Sequence, residues 1–81
     1  MELTWKTHGQ WKLCSQIYPS KLDKDLMQWV VQLYWKKFVK DAQEEDYITI
    51  SFGAFIEEEE AQAYHTQQLD VALTTEPVDY V

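Results

Sequence analysis

Cys14 and His8 are the pairing of residue types closest to a nucleophile and its base. A catalytic cysteine needs a depressed pKa and a base within hydrogen-bond reach. In the strand register argued below, Cys14 points outward with Thr4, while His8 sits in a turn about 13 Å away. The pair therefore reads as an ordinary strand cysteine and a turn histidine. His65 with Glu57, Glu58, Glu59 and Glu60 raises a metal site, but no Glu-x-x-His, His-x-x-x-His or calcium-loop spacing accompanies them. No specific metal and no cofactor is expected. Ser15, Ser20 and Ser51 lack a Gly-x-Ser-x-Gly context, and two separated glycines, Gly9 and Gly53, build no phosphate loop. Trp5, Trp11, Trp29 and Trp35 have the rings for base stacking. An acidic chain argues against that use, and core and interface packing is the expected role.

Charge gives a clearer signal. The chain carries −7, unevenly distributed. Residues 1–40 hold all seven lysines against Glu2, Asp23 and Asp25, a balance of +4. Residues 41–81 hold eleven acids and no Lys or Arg, a balance of −11. Arginine, the bidentate reader of phosphate and guanine edges, is missing from the whole chain. Direct nucleic-acid binding is therefore not expected. A basic protein surface is the better electrostatic match, including a groove that normally holds nucleic acid. The simpler account is that surplus acid keeps a Trp-rich protein in solution.

The elements that must position these residues belong to one small domain. Eighty-one residues bury about 60% of the surface exposed when unfolded. Twelve aromatic residues supply a core without staples. No apolar run exceeds three residues, as at Ala54 to Ile56, too short for a membrane span. One cysteine makes no internal disulfide, and no basic-then-apolar leader opens the sequence. A soluble protein of a reducing compartment, the cytoplasm, is the expectation.

Glu2 to Lys6 and Gln10 to Tyr18 read as two strands around a His8-Gly9 turn. Matching Trp5 with Leu13 requires an odd loop or a bulge, and it sets Lys6 opposite Lys12 on the outer face. Ser20 reads as the N-cap of a helix over about 21–40, with Asp23 and Asp25 at its positive end and Lys36, Lys37 and Lys40 at the other. Tyr47 to Ile56 alternates as a strand, with Tyr47 and Phe55 on one face and Ile48, Ile50 and Phe52 on the other. Gly53 within it marks a bulge, a bend or a close backbone approach. Residues 57–68 fit a helix, a hairpin or a mobile loop. Leu69, Val71 and Leu73 alternate as a last strand, and residues 76–81 read as a loose tail on which Tyr80 and Val81 have the option of docking. The expected class is α+β. A small antiparallel sheet of three to four strands, ordered 2-1-3-4, is covered on one face by one long helix. Along the chain this runs ββαβ, then a short helix or hairpin, then β.

That helix has more apolar surface than one sheet needs. Its arc spans roughly 200°, where about 100° suffices, and Trp35 and Val39 fall outside even that. The surplus is either covered by residues 57–68 or left for a partner. Three functional readings follow. The first is a non-enzymatic inhibitor or regulator. It presents Glu44, Glu45, Asp46, Glu57, Glu58, Glu59 and Glu60 to a basic partner and anchors through Tyr47, Phe55 or Trp35. Small acidic proteins of phage or mobile-element origin that block nucleic-acid machinery share this size and charge; their setting would be the host-cell cytoplasm. The second is an assembly subunit, a homodimer joined through Met27, Val31, Trp35, Phe38 and Val39. The third is a small enzyme or metal-dependent factor using Cys14, His8 or His65.

Overall fold

The computed structural model describes residues 1–23, 26–37 and 47–80, with backbone alone at Leu22 and Asp23. It is α+β. Four antiparallel strands, β1 (Leu3–His8), β2 (Trp11–Asp23), β3 (Leu26–Lys37) and β4 (Tyr47–Phe55), lie in the order 1-2-3-4. One helix, α1 (Glu58–Ala72), packs on a single face, and a short 3-10 turn follows at Pro77–Tyr80.

The described residues of the expected helix over 21–40 are strand instead: Lys21 to Asp23 end β2, Leu26–Lys37 form β3, and residues 24–25 and 38–40 lie outside the described residues. The sheet order is a simple meander rather than 2-1-3-4. The physical reason lies in the over-wide apolar arc. A helix cannot bury Trp29, Val30, Val31, Leu33, Tyr34 and Trp35 against one sheet. A strand divides them between two faces. Trp29, Val31, Leu33 and Trp35 stand opposite Pro19, Ile17, Ser15 and Leu13, while Val30 and Tyr34 turn the other way with Tyr18 and Cys14. The run is rich in β-branched and aromatic residues, which suit a pleated surface. Ser20, expected as an N-cap, lies within β2. Pro19 is tolerated there because β1 reaches only to Ser15, so beyond it one side of β2 is an edge.

The first hairpin turns at Gly9, whose φ of 62° suits a residue without Cβ. His8 stands opposite Trp11, and the expected irregularity is a bulge at Trp5. The expected pairing of Lys6 with Lys12 does not occur. Past the bulge Lys6 faces Leu13 and turns toward the helix layer. Its ammonium donates to the carbonyls of Leu73 and Thr75, each at 2.7 Å, and lies 5.5 Å from the centre of the Trp35 ring. α1 has no basic residue in its last turn, so a strand lysine supplies the cation at its negative end. Glu58, Glu59 and Glu60 occupy the positive end.

The core lies between sheet and helix. Leu13, Val31, Leu33 and Trp35 are fully buried against Ala61, Leu69 and Ala72. Together with His65, these helix residues follow the spacing of one helical face. Small residues let α1 approach closely. At Gly53 an added Cβ would lie 2.9 Å from Phe55 Cε2 and 3.0 Å from Tyr64 Cε1. Of the three options at Gly53, close approach is the one observed. Residues 57–68 take the helical option, and α1 continues through Leu69 and Val71, where a last strand was expected. Within the expected loose tail, Pro77 is buried and the Tyr80 hydroxyl lies 2.8 Å from Thr75 Oγ1. Among the described residues no helix is long and apolar enough to cross a membrane.

Candidate functional site

The two faces of the sheet receive the candidate residues separately. On the inner face, Ser15 is 1% exposed and His65 9% exposed, with Ser15 Oγ and His65 Nε2 at 2.8 Å. Trp5 Nε1 donates to the same oxygen at 2.7 Å. The indole can only donate, so the serine oxygen accepts from it, and the tautomer of His65 sets which of Ser15 Oγ and Nε2 donates in the second link. Burial holds the His65 pKa below its ordinary value, which favours the neutral imidazole. A serine beside a histidine has the composition of a nucleophile and base. Here both are enclosed between the sheet and α1, and the chain of bonds satisfies buried polar groups. Neither residue was placed in such a pair by sequence reasoning. The available signal was Ser15 itself, a hydroxyl at a core-facing position between Leu13 and Ile17, which requires a partner.

Cys14 and His8 are not brought together. Cys14 lies on the opposite face, 1% exposed. Its thiol donates to the Lys12 carbonyl at 3.6 Å and sits 3.8 Å from Thr4 Oγ1. Burial pushes its pKa up, the wrong direction for a nucleophile. His8 lies at the end of β1, its Nε2 4.0 Å from the Glu76 carboxylate. Among the described residues no three His, Cys, Asp or Glu side chains lie close enough to hold a metal ion.

Among the described residues no helix lies over the outer face of the sheet. A pocket of about 300 Å3 opens there, lined by Glu2, Gln16, Gln32, Leu33, Tyr34, Tyr47, Thr49 and Phe52. Its floor is organised around Tyr34, which is 8% exposed. Gln16 Nε2 donates to the Tyr34 hydroxyl at 3.3 Å, and that hydroxyl donates to the Glu2 carboxylate. Burial first, and then the carboxylate, push the Tyr34 pKa far above the ordinary phenol value, so it stays a neutral donor. Lys36 Nζ reaches the other Glu2 oxygen at 3.7 Å. The Tyr34 and Tyr47 ring centres are 5.6 Å apart and tilted by 56°. Tyr47 and Phe52 are more than half exposed and form the outer wall.

A second bulge decides which aromatics stand here. The register of β4 against β3 shifts between Leu33 and Tyr34, which places Ile48 opposite Trp35 and Ile50 against the core. Tyr47, Thr49 and Phe52 then share the outer face. Phe55, expected to stand with Tyr47, faces inward against Tyr64, with ring centres 5.0 Å apart. Phe52, expected to face inward, takes its place outside. Glu2, Gln16, Gln32, Tyr34 and Thr49 were not singled out from sequence: Gln32 and Tyr34 fell in the expected helix, no site was expected at Glu2 or Gln16, and strict alternation did not reveal the bulge that turns Phe52 outward.

The remaining expected site residues divide three ways. Glu57, Glu58, Glu59 and Glu60 are all exposed, at the start of α1 directly after β4. Met27 is exposed, whereas Val31 and Trp35, expected on a self-association face, are fully buried under α1. Glu44, Glu45, Asp46, Phe38 and Val39 lie outside the described residues. No family model, curated protein or solved structure matches this chain, so the chemistry of its surfaces rests on its own residues.

Proposed function

We propose that this protein is a non-enzymatic binding protein, an inhibitor or regulator that docks on a larger protein with a basic surface. The observation that carries the reading is the continuity of β4 and α1. One unbroken segment presents the exposed aromatics Tyr47 and Phe52, then the exposed carboxylates Glu57 to Glu60. Residues 41–81 supply no Lys or Arg to neutralise them. Aromatic anchors in a polar rim are the usual anatomy of a protein-docking patch, and the acids steer a basic partner toward it. A lone buried cysteine without a disulfide partner fits a cytoplasmic setting, and the size and charge fit a phage or mobile-element product acting on its host.

The test begins with proteins retained on the immobilised chain at low salt, each then purified and titrated back. A basic partner should bind more weakly as salt rises. Changing Glu57 to Glu60 together to glutamine should weaken binding by about tenfold or more and flatten that salt dependence. Unchanged affinity would defeat the electrostatic reading.

Self-association has one specific observation in its favour, at a place other than the residues first expected. Among the described strands β4 lies at the edge of the sheet, and its nine residues include no charge and no proline. Edges of that kind invite pairing with another strand. A salt-insensitive dimer by light scattering, abolished by Thr49→Lys, would move the assembly reading ahead. A monomer at all concentrations would remove it.

A further inference from the structure

We propose that the pocket on the outer sheet face receives an arginine side chain projecting from the surface of the basic partner. The proposal rests on the reading above for the source of that arginine, and its chemistry is that of the pocket alone. Among the described residues the pocket lining includes one carboxyl group, that of Glu2, and no Lys, Arg or His. The others offer what a guanidinium uses. Tyr34, Tyr47 and Phe52 supply ring faces, which attract a cation through their quadrupoles. Gln16, Gln32 and Thr49 supply acceptor oxygens for a flat fork of five N–H donors. The volume of about 300 Å3 accommodates one long side chain without rearrangement of the strands. The Tyr34 hydroxyl is already committed between Gln16 and Glu2, so the floor is set before a ligand arrives.

Lys36 gives the proposal its sharpest consequence. It reaches Glu2 at 3.7 Å and so opposes any cation that approaches the same carboxylate. Removing that charge should improve an arginine site and weaken a site for an anion.

The experiment is an NMR titration of the full chain with N-acetylarginine methylamide, beside the citrulline counterpart of equal shape and no charge. Saturable shifts should appear at Tyr34, Tyr47, Phe52 and Gln32 with arginine, and be at least about fivefold weaker with citrulline. Lys36→Gln should tighten arginine binding by about threefold, and Glu2→Gln should weaken it by a similar factor. Phe52→Ala should weaken it as well, and with Phe52 59% exposed the fold does not depend on that ring. Equal response to citrulline, no shift at these residues, or weaker arginine binding in Lys36→Gln would overturn the proposal. The two claims separate cleanly. A basic protein that binds with the expected salt dependence while the free arginine probe leaves the pocket unmoved defeats the arginine pocket alone. Arginine binding by a chain that no basic protein engages defeats the docking function alone.

Discussion

The inner and outer faces of one sheet each carry a short chain of hydrogen-bonded side chains, and the two chains end differently. Beneath α1, Trp5, Ser15 and His65 form a closed chain in which the donor of each link meets an acceptor. On the outer face, Gln16, Tyr34 and Glu2 form a second chain, but it ends at a carboxylate on the wall of an open pocket. A closed chain fixes the fold, and an open one leaves acceptors for a ligand. Polar groups in a small β-protein are therefore best judged by where their hydrogen bonds end, since each chain holds at least one buried polar side chain, Ser15 in one and Tyr34 in the other.

The contrast is broken most forcefully by truncating a large side chain on each face. Trp35→Ala removes a fully buried ring from the centre of the inner layer and should destabilise by about 3–5 kcal/mol. Phe52→Ala on the outer face should cost under about 1 kcal/mol. Urea unfolding of both variants decides the matter, and comparable losses would mean that the outer face is also a core. Trp35→Phe sharpens the point. The Trp35 indole N–H is buried with no hydrogen-bond partner among the described residues, so the smaller ring removes a liability along with volume. Its loss should be well below that of Trp35→Ala.

Next in size is the closeness of the helix. Gly53→Ala drives a methyl into the Phe55 and Tyr64 rings at about the contact distances already given, and should cost about 1–3 kcal/mol. Ala54→Ser, one residue on and facing outward, should be nearly neutral. Lys6→Met follows. It keeps the stem over Trp35 but leaves the Leu73 and Thr75 carbonyls without their donor, a loss of about 1–2 kcal/mol. Hydrogen exchange should speed up at the C-terminal end of α1, with little change in β4.

Much of this contrast was hidden in the sequence for identifiable reasons. β4 was legible because Tyr47 to Ile56 alternates over a long uncharged run. The β3 segment was not, because Leu22, Leu26, Trp29 and Leu33 also match helical spacing. The excess of apolar residues around that wheel was the sign of a strand with two used faces. α1 was obscured in the opposite way. Its buried stripe is Ala61, His65, Leu69 and Ala72, only one of them large and apolar, so its period is faint. The alternation of Leu69, Val71 and Leu73 then imitated a strand. The site residues depended on bulges at Trp5 and Ile50, each of which exchanges inward and outward positions for everything beyond it.

The smallest effect tests the closed chain directly. His65 has a pKa held below the ordinary value of about 6.5 by burial between sheet and helix. The folded protein therefore prefers the neutral imidazole more than the unfolded chain does. Above about pH 6.5 both states carry it neutral, and its contribution is fully present. As pH falls through that value the unfolded chain takes the proton first, and stability is lost until the folded pKa is passed. His65→Gln keeps an oxygen acceptor for Ser15 within a side chain that does not titrate. The stability difference between wild type and this variant, measured by urea unfolding from pH 8 to pH 5, should shift steadily against the wild type toward acid. A difference that stays flat across the window would mean that solvent reaches His65. The inner chain of bonds would then be open like the outer one, and the distinction between the two faces would fail where it is most specific.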